Sequence, residues 1–419
     1  MSENKKLKFP DGFLWGASNS AYQIEGGCVN NWSEWEKVNA GRLAKEARGK
    51  WQLWQQEQFP EMFEAQNYIS GRACDHYNLY EKDFDSAKEL GHNAHRFSLE
   101  WSRIEPEEGK FSPEGIEHYR KVLQALRVRG IEPMVTLWHW TNPLWLEKKG
   151  GCESRDFAPA LARYAQYAVE QLGDLAEFWV TLNEPTAVLA MAYVKGVWPP
   201  QKKNPVAVWR VYRHLARAHN LAYDAMHSVS EKFQVGFSHN MFYYEPNNHR
   251  SWLDRALVRV IEYFANERFF RMTPGKHDFI GLQYYFHSRF KFPGLLRNDN
   301  LDLNDLAWEI YPEGIYHLLK GLQKYNLPIY ITENGLADKT DARREKFIKD
   351  HLAQVHRAIQ EGVNVRGYLY WSLLDNFEWD KGFWPRFGLV AVDYQTLERK
   401  IRPSALKYAE ICKNNSLDI

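Results

Sequence analysis

Short apolar runs recur along the chain and alternate with longer segments in which apolar residues follow helical spacing. Most of the short runs are rich in β-branched, aromatic and leucine residues, with apolar side chains at successive positions. Such runs are typical of parallel strands that are buried on both faces. They predict eight strands, at residues 12–18, 93–101, 132–138, 177–184, 234–240, 278–285, 328–335 and 365–373.

Amphipathic segments fall between these strands. The clearest begins at Ser112-Pro113, an N-cap followed by proline at the first helical position, and ends at Gly130. Similar segments occupy residues 79–90, 157–172, 205–231, 252–271, 313–325, 342–361 and 403–413. The repeated alternation favours an α/β fold, a single (β/α)8 TIM barrel that forms one domain over residues 1–419. A doubly wound sheet is the alternative, but no GxGxxG turn follows the first predicted strand.

Two stretches interrupt the alternation. Residues 29–72 are rich in tryptophan, glutamine and charged residues, and residues 286–311 follow the sixth predicted strand. We expect the first stretch to be a long insertion with some helix and the second to be a long loop. Because functional loops of such barrels lie at the C-terminal ends of the strands, both are predicted to cover that mouth.

Aromatic residues make up 15% of the chain, with 17 tryptophans among them. Tryptophan is rarely buried completely and often marks a binding surface, which suits a protein that binds sugars. The formal net charge is only +1 and no long run of like charge is present, so nucleic acid and anionic membranes are not expected as partners.

The first residues, MSENKKLKFPDGFLWGAS, contain a basic patch with no long apolar segment after it. This start predicts neither a secretory signal nor a transmembrane helix. The four cysteines are scattered and form no CxxC pair, which argues against a zinc site and a disulfide framework. We therefore predict a cytoplasmic protein without a metal or cofactor. Its oligomeric state is not indicated.

Two of the predicted strands end in a carboxylate within a short polar motif. Glu184 in TLNEP ends the fourth strand, and Glu333 in ITENG ends the seventh. Because the C-terminal ends of barrel strands meet at one mouth, these carboxylates are expected to face each other. Acid/base cleavage of a glycosidic bond requires such a pair. The alternative is that each glutamate forms a structural ion pair at its strand end.

The residues around these glutamates resemble glycoside hydrolase family 1, the β-glucosidase and β-galactosidase group. The similarity runs from FLWGASNSAYQIEGG to WSLLDNFEWDKGFWPRFGLVAVDY and includes both glutamate motifs in the family's order. It implies a retaining exo-β-glycosidase that hydrolyses O-linked β-glucosides or β-galactosides, with β-fucosides as further candidates. In that resemblance Glu333 is the nucleophile of a double displacement and Glu184 is the general acid/base.

The same resemblance implies that the protein's partner is a small β-glycoside or oligosaccharide substrate. It also implies roles for the surrounding residues. Those implied to bind substrate are Gln23, His139, Trp140, Asn183, Trp371, Glu378, Trp379 and Phe387, with Trp308 on the aglycone side. Arg96 and Tyr285 are implied to hold the nucleophile. Arg96 is expected to keep Glu333 ionised, whereas burial or the second carboxylate should raise the pKa of Glu184.

Two positions refine the expected substrate, and a third departs from the family's pattern. Glu378 stands where relatives that cleave 6-phosphosugars have small and basic residues, which favours unphosphorylated sugars. Glu184 stands where thioglucosidases of this family have glutamine, which favours O-glycosides. Gln283 replaces the asparagine that is usual two residues before Tyr285, and its longer side chain is expected to shift the contact with Glu333 or with its water.

Two other functions are compatible with the same barrel. A catalytically silent carbohydrate-binding protein typically lacks one of the two carboxylates, and both are present here. A transglycosylase uses the same residues but transfers the sugar to a hydroxyl group instead of water. The sequence does not separate this second activity from hydrolysis.

Overall fold

The computed structural model describes residues 6–297 and 302–418. Its centre is a closed barrel in which each strand pairs in parallel with the next, and the last strand pairs with the first. The strands are β1 (Leu14–Ser18), β2 (Ala94–Ser98), β3 (Glu132–Trp138), β4 (Phe178–Asn183), β5 (Gln234–Pro246), β6 (Ile280–Lys291), β7 (Ile329–Asn334) and β8 (Val365–Trp371). The predicted (β/α)8 barrel is confirmed, while the extent of a single domain over 1–419 stays a prediction.

Helices follow the strands and cover the outside of the barrel. They are α1 (His76–Glu89), α2 (Pro113–Val128), α3 (Phe157–Leu172), α4 (Pro205–Val229), α5 (Trp252–Glu262), α6 (Glu313–Leu322), α7 (Arg344–Gln360) and α8 (Pro403–Asn414). Helix α2 begins as predicted: the Ser112 hydroxyl accepts a hydrogen bond from the Gly115 N–H, and Pro113 takes the first position. Helix α5 continues into a π-helical turn, Tyr263–Glu267, and a short helix, Arg268–Met272.

The N-terminal end of the barrel is packed with side chains from several strands. This buried cluster contains Ala94, Met134, Val180, Phe279, Tyr330 and Leu369. The cluster fills this end of the barrel, and barrel enzymes place their active sites at the opposite end, where the C-terminal ends of the strands lie.

The predicted insertion over the mouth is confirmed. Its main helix is Asn31–Lys50, which begins at Asn30, whose side chain accepts hydrogen bonds from the N–H groups of Trp32 and Ser33. Further elements of the insertion are Leu53–Gln58, Pro60–Phe63 and Ala65–Tyr68. The Trp32 ring packs against Trp379 with centroids 4.6 Å apart, so the insertion supports a loop at the barrel mouth.

The prediction of a long loop over 286–311 is wrong in its first part, and the predicted end of the fifth strand at 240 is too early. Strands β5 and β6 continue beyond the barrel and pair from Phe242 with Phe286 to Pro246 with Phe290. Stacked aromatic rings stabilise this ribbon, with the Phe242 and Phe286 centroids 4.6 Å apart. A short strand, Leu295–Leu296, pairs antiparallel with β6, and residues 298–301 lie outside the described residues.

Shorter elements complete the fold. Lys6–Lys8 pairs antiparallel with Ser416–Asp418, and Val390–Val392 pairs antiparallel with Arg399–Ile401. Short helical segments are Ala21–Ile24, Trp101–Ile104, Leu144–Lys148, Gly151–Glu153, Pro185–Val188, the π-helical Leu189–Val194, Gln323–Tyr325 and Trp379–Lys381. Within the described part of the chain, no helix combines the length and apolar character needed to cross a bilayer.

Candidate active site

The C-terminal ends of the strands open into one cavity of about 1010 Å³. Most of the residues implied by the resemblance line it, namely Gln23, His139, Trp140, Glu184, Tyr285, Trp308, Glu333, Trp371, Glu378, Trp379 and Phe387. Arg96 and Asn183 are fully buried and contact residues of this wall. The structure therefore brings all of the predicted site residues together.

Glu333 is held through both of its carboxylate oxygens. The Arg96 guanidinium donates to Oε1, and the Tyr285 hydroxyl donates to Oε2 at 2.8 Å. Arg96 is itself fixed, because its Nε donates to the Thr136 hydroxyl at 3.1 Å and its Nη2 to Asn183 Oδ1 at 2.5 Å. These hydrogen bonds hold the Glu333 carboxylate in one orientation at the end of β7.

The two glutamates differ in their electrostatic surroundings. Burial raises the pKa of Glu333, and Arg96 and Tyr285 lower it. The pKa is raised overall, which differs from the lowering expected from Arg96 alone. Burial and the charge of Glu333 raise the pKa of Glu184 well above its usual value, and Asn240 and Arg96 offset this only in part. Because Arg96 contacts Glu333 directly, the proton that the pair retains belongs on Glu184.

Glu184 also has unusual backbone geometry. It adopts a left-handed conformation with φ of 43°, between the end of β4 and Pro185. Its N–H donates to the Ser238 carbonyl at 2.8 Å, which ties the turn to β5. Trp140 and Trp379 share the left-handed region, with φ of 73° and 51°. Strain of this kind is costly and tends to cluster at functional sites.

The hydrogen bonds around Asn183 determine the tautomer of His139. The Asn183 amide oxygen accepts from Arg96 and from Gln283, so its amide nitrogen faces His139 Nε2 at 3.0 Å. Nε2 must then accept, which leaves the proton on Nδ1. Burial and Arg96 lower the pKa of His139 well below its usual value, so the ring is neutral. Its Nδ1 is buried and has no hydrogen-bond partner among the described residues.

Gln23 and Glu378 form a second polar wall. The Gln23 amide nitrogen donates to Asn376 Oδ1 and to the Phe377 carbonyl, both at 2.9 Å, and to Glu378 Oε2 at 3.3 Å. The Ser20 hydroxyl donates to the Gln23 amide oxygen at 2.7 Å. These contacts hold the two side chains beside each other.

The charge of Glu378 depends on its surroundings. Burial raises the pKa of Glu378 to about 7, although Lys381 opposes the shift. Lys50 and Lys381, for which the sequence implied no role, also line the cavity. Both donate to the Asp380 carboxylate, at 3.1 and 2.6 Å, and Trp198 donates to it as well. Asp380 thus compensates one of the two positive charges.

Aromatic faces enclose the space between these walls. The His139 ring stacks near Trp371 and Trp379, with centroids 6.1 and 5.9 Å apart. The Trp140 indole N–H donates to the Asn183 carbonyl at 2.9 Å, and its ring packs on Trp198. Trp140 therefore supports the pocket and also lines it.

Gln283 contacts Asn183 and not Glu333. Its amide nitrogen donates to Asn183 Oδ1 at 2.8 Å, beside the Arg96 contact to the same oxygen. Its own Oε1 is buried, and no residue in the described part of the chain hydrogen-bonds to it. The longer side chain is directed to the residue before Glu184.

Three further contributors also lack a motif of their own. Asn240, at the end of the predicted fifth strand, lines the cavity, and its side chain lowers the pKa of Glu184. Its position at the end of a predicted strand could have indicated that it lies at the barrel mouth. Phe242 and Phe286 also line the cavity, but they lie beyond the predicted strand ends. Across residues 6–297 and 302–418, no three histidine, cysteine, aspartate or glutamate side chains are grouped as a metal site.

The chain is similar to known glycosidases. The family model described as Glycosyl hydrolase family 1 matches residues 5–277 and 271–417. "Beta-glucosidase A" of Thermotoga maritima is 34% identical, over 98% of this chain and 99% of its own length. "Beta-galactosidase" of Sulfolobus acidocaldarius is 32% identical, over 98% of this chain and 96% of its own.

Solved structures are similar over the same extent. A beta-glycosidase from Pyrococcus horikoshii superposes with a TM-score of 0.88 and 36% identity, covering 99% of this chain and 97% of its own. A beta-glucosidase from Thermotoga maritima, solved in complex with glucoimidazole, gives a TM-score of 0.88 and 32% identity, covering 98% of this chain and all of its own.

Proposed function

This chain belongs to glycosyl hydrolase family 1, and from that premise we propose that it is a retaining exo-β-glycosidase with Glu333 as nucleophile and Glu184 as general acid/base. β-Glycosidase activity follows from the family; the residue roles and the preference for O-linked β-glucosides and β-galactosides are the proposal. The observation that carries it is the contrast between the carboxylates. Arg96 and Tyr285 hold Glu333, whereas Glu184 has a strongly raised pKa.

The first step forms a glycosyl-enzyme. Glu184 gives its proton to the glycosidic oxygen while Glu333 attacks the anomeric carbon from the opposite face. The bond between the anomeric carbon and the oxygen breaks, and the aglycone leaves as an alcohol. The Tyr285 hydroxyl and Arg96 orient the attacking carboxylate.

The second step releases the sugar. Once Glu333 is esterified it carries no charge, so the repulsion that raised the pKa of Glu184 is removed. Glu184 then takes a proton from water, and the hydroxide oxygen attacks the anomeric carbon. The ester bond breaks, Glu333 leaves as a carboxylate, and Glu184 is protonated again. Two inversions give a product of retained configuration.

The sugar is bound by the polar groups that the protein leaves available. His139 Nδ1–H and one remaining amide hydrogen of Asn183 are donors for hydroxyl groups. Glu378, when ionised, accepts hydroxyl hydrogens beside Gln23. Trp371 and Trp379 offer flat faces to the ring. The Glu378 carboxylate would repel a phosphate group in this part of the cavity, which favours an unphosphorylated sugar.

Covalent trapping tests the proposal. The protein is incubated with a β-glucoside that carries fluorine at carbon 2 and a good leaving group, and the labelled peptide is identified by mass spectrometry. We expect one glycosyl group on Glu333 and loss of activity towards p-nitrophenyl β-glucoside. Hydrolysis that continues without a label, or a label on another residue, would contradict the assignment.

A panel of p-nitrophenyl β-glycosides ranks the sugars. We expect release from the glucoside and the galactoside, with the fucoside as a further candidate. NMR spectra of the first product should show the β-anomer, as retention requires. Early accumulation of the α-anomer would mean inversion and would exclude Glu333 as nucleophile.

A further inference from the structure

The cavity continues beyond the catalytic pair into a compartment with an apolar wall, here called the outer channel. Side chains that line it include Met191, Val194, Val208, Trp209, Phe242 and Phe264. Together with the catalytic part, the cavity lies at the upper end of the range of about 300–1,000 Å³ that small-molecule sites occupy. One sugar ring fills only a small part of such a volume.

Irregular helical turns build two sides of the outer channel. Met191 and Val194 belong to the π-helical segment Leu189–Val194, which follows the catalytic strand β4. Phe264 belongs to the π-helical turn Tyr263–Glu267 after α5. Single π-helical turns occur frequently at functional sites because they redirect a few side chains.

A row of aromatic rings joins the outer channel to the nucleophile. The Tyr285 ring, whose hydroxyl contacts Glu333, lies 6.0 Å from the Trp308 ring. Trp308 lies 4.5 Å from Phe286, which stacks on Phe242 at 4.6 Å. These last two rings stand on the extended ribbon of β5 and β6. An aglycone that leaves the catalytic pair along this row meets apolar faces.

The outer end of the channel exposes apolar side chains to solvent. Val194 is 59% exposed, Phe264 is 52% exposed and Trp209 is 47% exposed. The Arg268 guanidinium lies over the Trp209 ring at 4.4 Å and over the Phe264 ring at 5.4 Å. The guanidinium thus covers part of both aromatic rings. Clustered exposed apolar groups at the end of a cavity mark a surface that a ligand covers.

We propose that the outer channel binds a linear alkyl chain, so that the preferred substrates are β-glycosides of long-chain alcohols. The inference rests on the proposed β-glycosidase function and adds the class of aglycone. A second sugar would lose hydrogen bonds to water along this mainly apolar wall and would regain few of them. An alkyl chain has no such loss and gains from burial of each CH2 group. Hydrolysis consumes one water and releases the sugar and the alcohol.

A series of alkyl β-glucosides of increasing length tests this. The wild-type protein is assayed with methyl, butyl, hexyl and octyl β-glucoside and with cellobiose. We expect kcat/KM to rise about twofold to fourfold per added CH2, and octyl β-glucoside to exceed cellobiose. A flat series, or faster turnover of cellobiose than of octyl β-glucoside, would overturn the inference.

The same assay distinguishes a failure of the alkyl-chain inference from a failure of the proposed β-glycosidase function. If methyl and p-nitrophenyl β-glucoside are hydrolysed but the series is flat, only the alkyl channel is wrong. If no glycoside is hydrolysed by folded protein, the proposed function fails and the inference fails with it.

A matched pair of variants locates the effect. Val194→Asp places a carboxylate on the channel wall, and Val206→Asp places one at a 63% exposed position on α4 outside the cavity lining. We expect Val194→Asp to lower the octyl-to-methyl ratio of kcat/KM about tenfold and Val206→Asp to leave it unchanged. Phe264→Asp, in the π-helical turn Tyr263–Glu267, is the second test if Val194→Asp does not fold. An unchanged ratio in a folded channel variant would overturn the inference.

Discussion

The inner pocket around Gln23, His139 and Glu378 and the outer channel around Val194 and Phe264 are parts of one cavity, yet they are built differently. In the inner pocket nearly every polar side chain is held by another, as Gln23 is by Ser20 and Asn376. In the outer channel the wall is mainly apolar, and several of its side chains are open to solvent.

This difference predicts two kinds of selectivity. A site that fixes donors and acceptors rejects a substrate that lacks a hydroxyl, because a buried polar group then stays unpaired. An apolar channel discriminates in small steps, since each CH2 adds a similar increment. The sugar should therefore be selected steeply and the aglycone gradually.

Removal of the nucleophile should affect every substrate alike. Glu333→Ala is expected to lower kcat by about 10⁴-fold or more, because the covalent intermediate no longer forms. Added azide or formate should restore part of the activity by attacking in place of the carboxylate. Rates are measured with p-nitrophenyl and octyl β-glucoside, with Glu114→Ala, at an exposed position on α2, as control. Near-wild-type turnover by folded Glu333→Ala would show that another group is the nucleophile.

Removal of the acid/base should separate binding of the alkyl chain from its departure. Glu184→Ala is expected to lower kcat/KM for octyl β-glucoside about 10²–10⁴-fold, because an alkoxide leaves poorly without a proton. Formation of the intermediate from a substrate with a good leaving group should be much less affected. Octyl β-glucoside should still inhibit the variant competitively. An equal loss on both kinds of substrate would argue against proton donation by Glu184.

Glu378→Gln tests the polar half of the comparison. Loss of charge-assisted hydrogen bonds, each contributing about 1.5–3 kcal/mol, should lower kcat/KM about 10²-fold or more. The octyl-to-methyl ratio should stay at the wild-type value, because distant sites contribute independently. A changed ratio would mean that the two regions are coupled.

The pH profile gives an independent reading of Glu378. Its pKa is raised to about 7, so the carboxylate is neutral below that pH and ionised above it. Because the ionised form accepts hydroxyl hydrogens, kcat/KM of the wild type should rise as pH increases through 7. Glu378→Gln should lose this step and keep the alkaline decline, which reports deprotonation of Glu184. A step at the same pH in the variant would assign it to another group.

The sequence allowed the inner pocket to be predicted far better than the outer channel. Glu184 and Glu333 stand in polar motifs at the ends of apolar strands, a pattern with few structural explanations. Met191 and Val208 follow ordinary helical spacing, so nothing in the sequence separates them from core residues. The extension of β5 and β6 was missed because it depends on cross-strand stacking of Phe242 on Phe286, which is visible only once the register is known.

The smallest effect is expected from Gln283→Asn, which acts on the inner pocket through Asn183. The shorter side chain draws the amide away from Asn183 Oδ1, now 2.8 Å from Gln283 Nε2, and leaves Arg96 as its donor. Loss of one hydrogen bond of about 1 kcal/mol should lower kcat/KM about threefold to tenfold on every glycoside. Because Asn183 precedes Glu184 and also orients His139, kcat should change more than KM, while the octyl-to-methyl ratio stays constant. An effect confined to octyl β-glucoside would place Gln283 on the apolar side of the cavity and would break the division between the two regions.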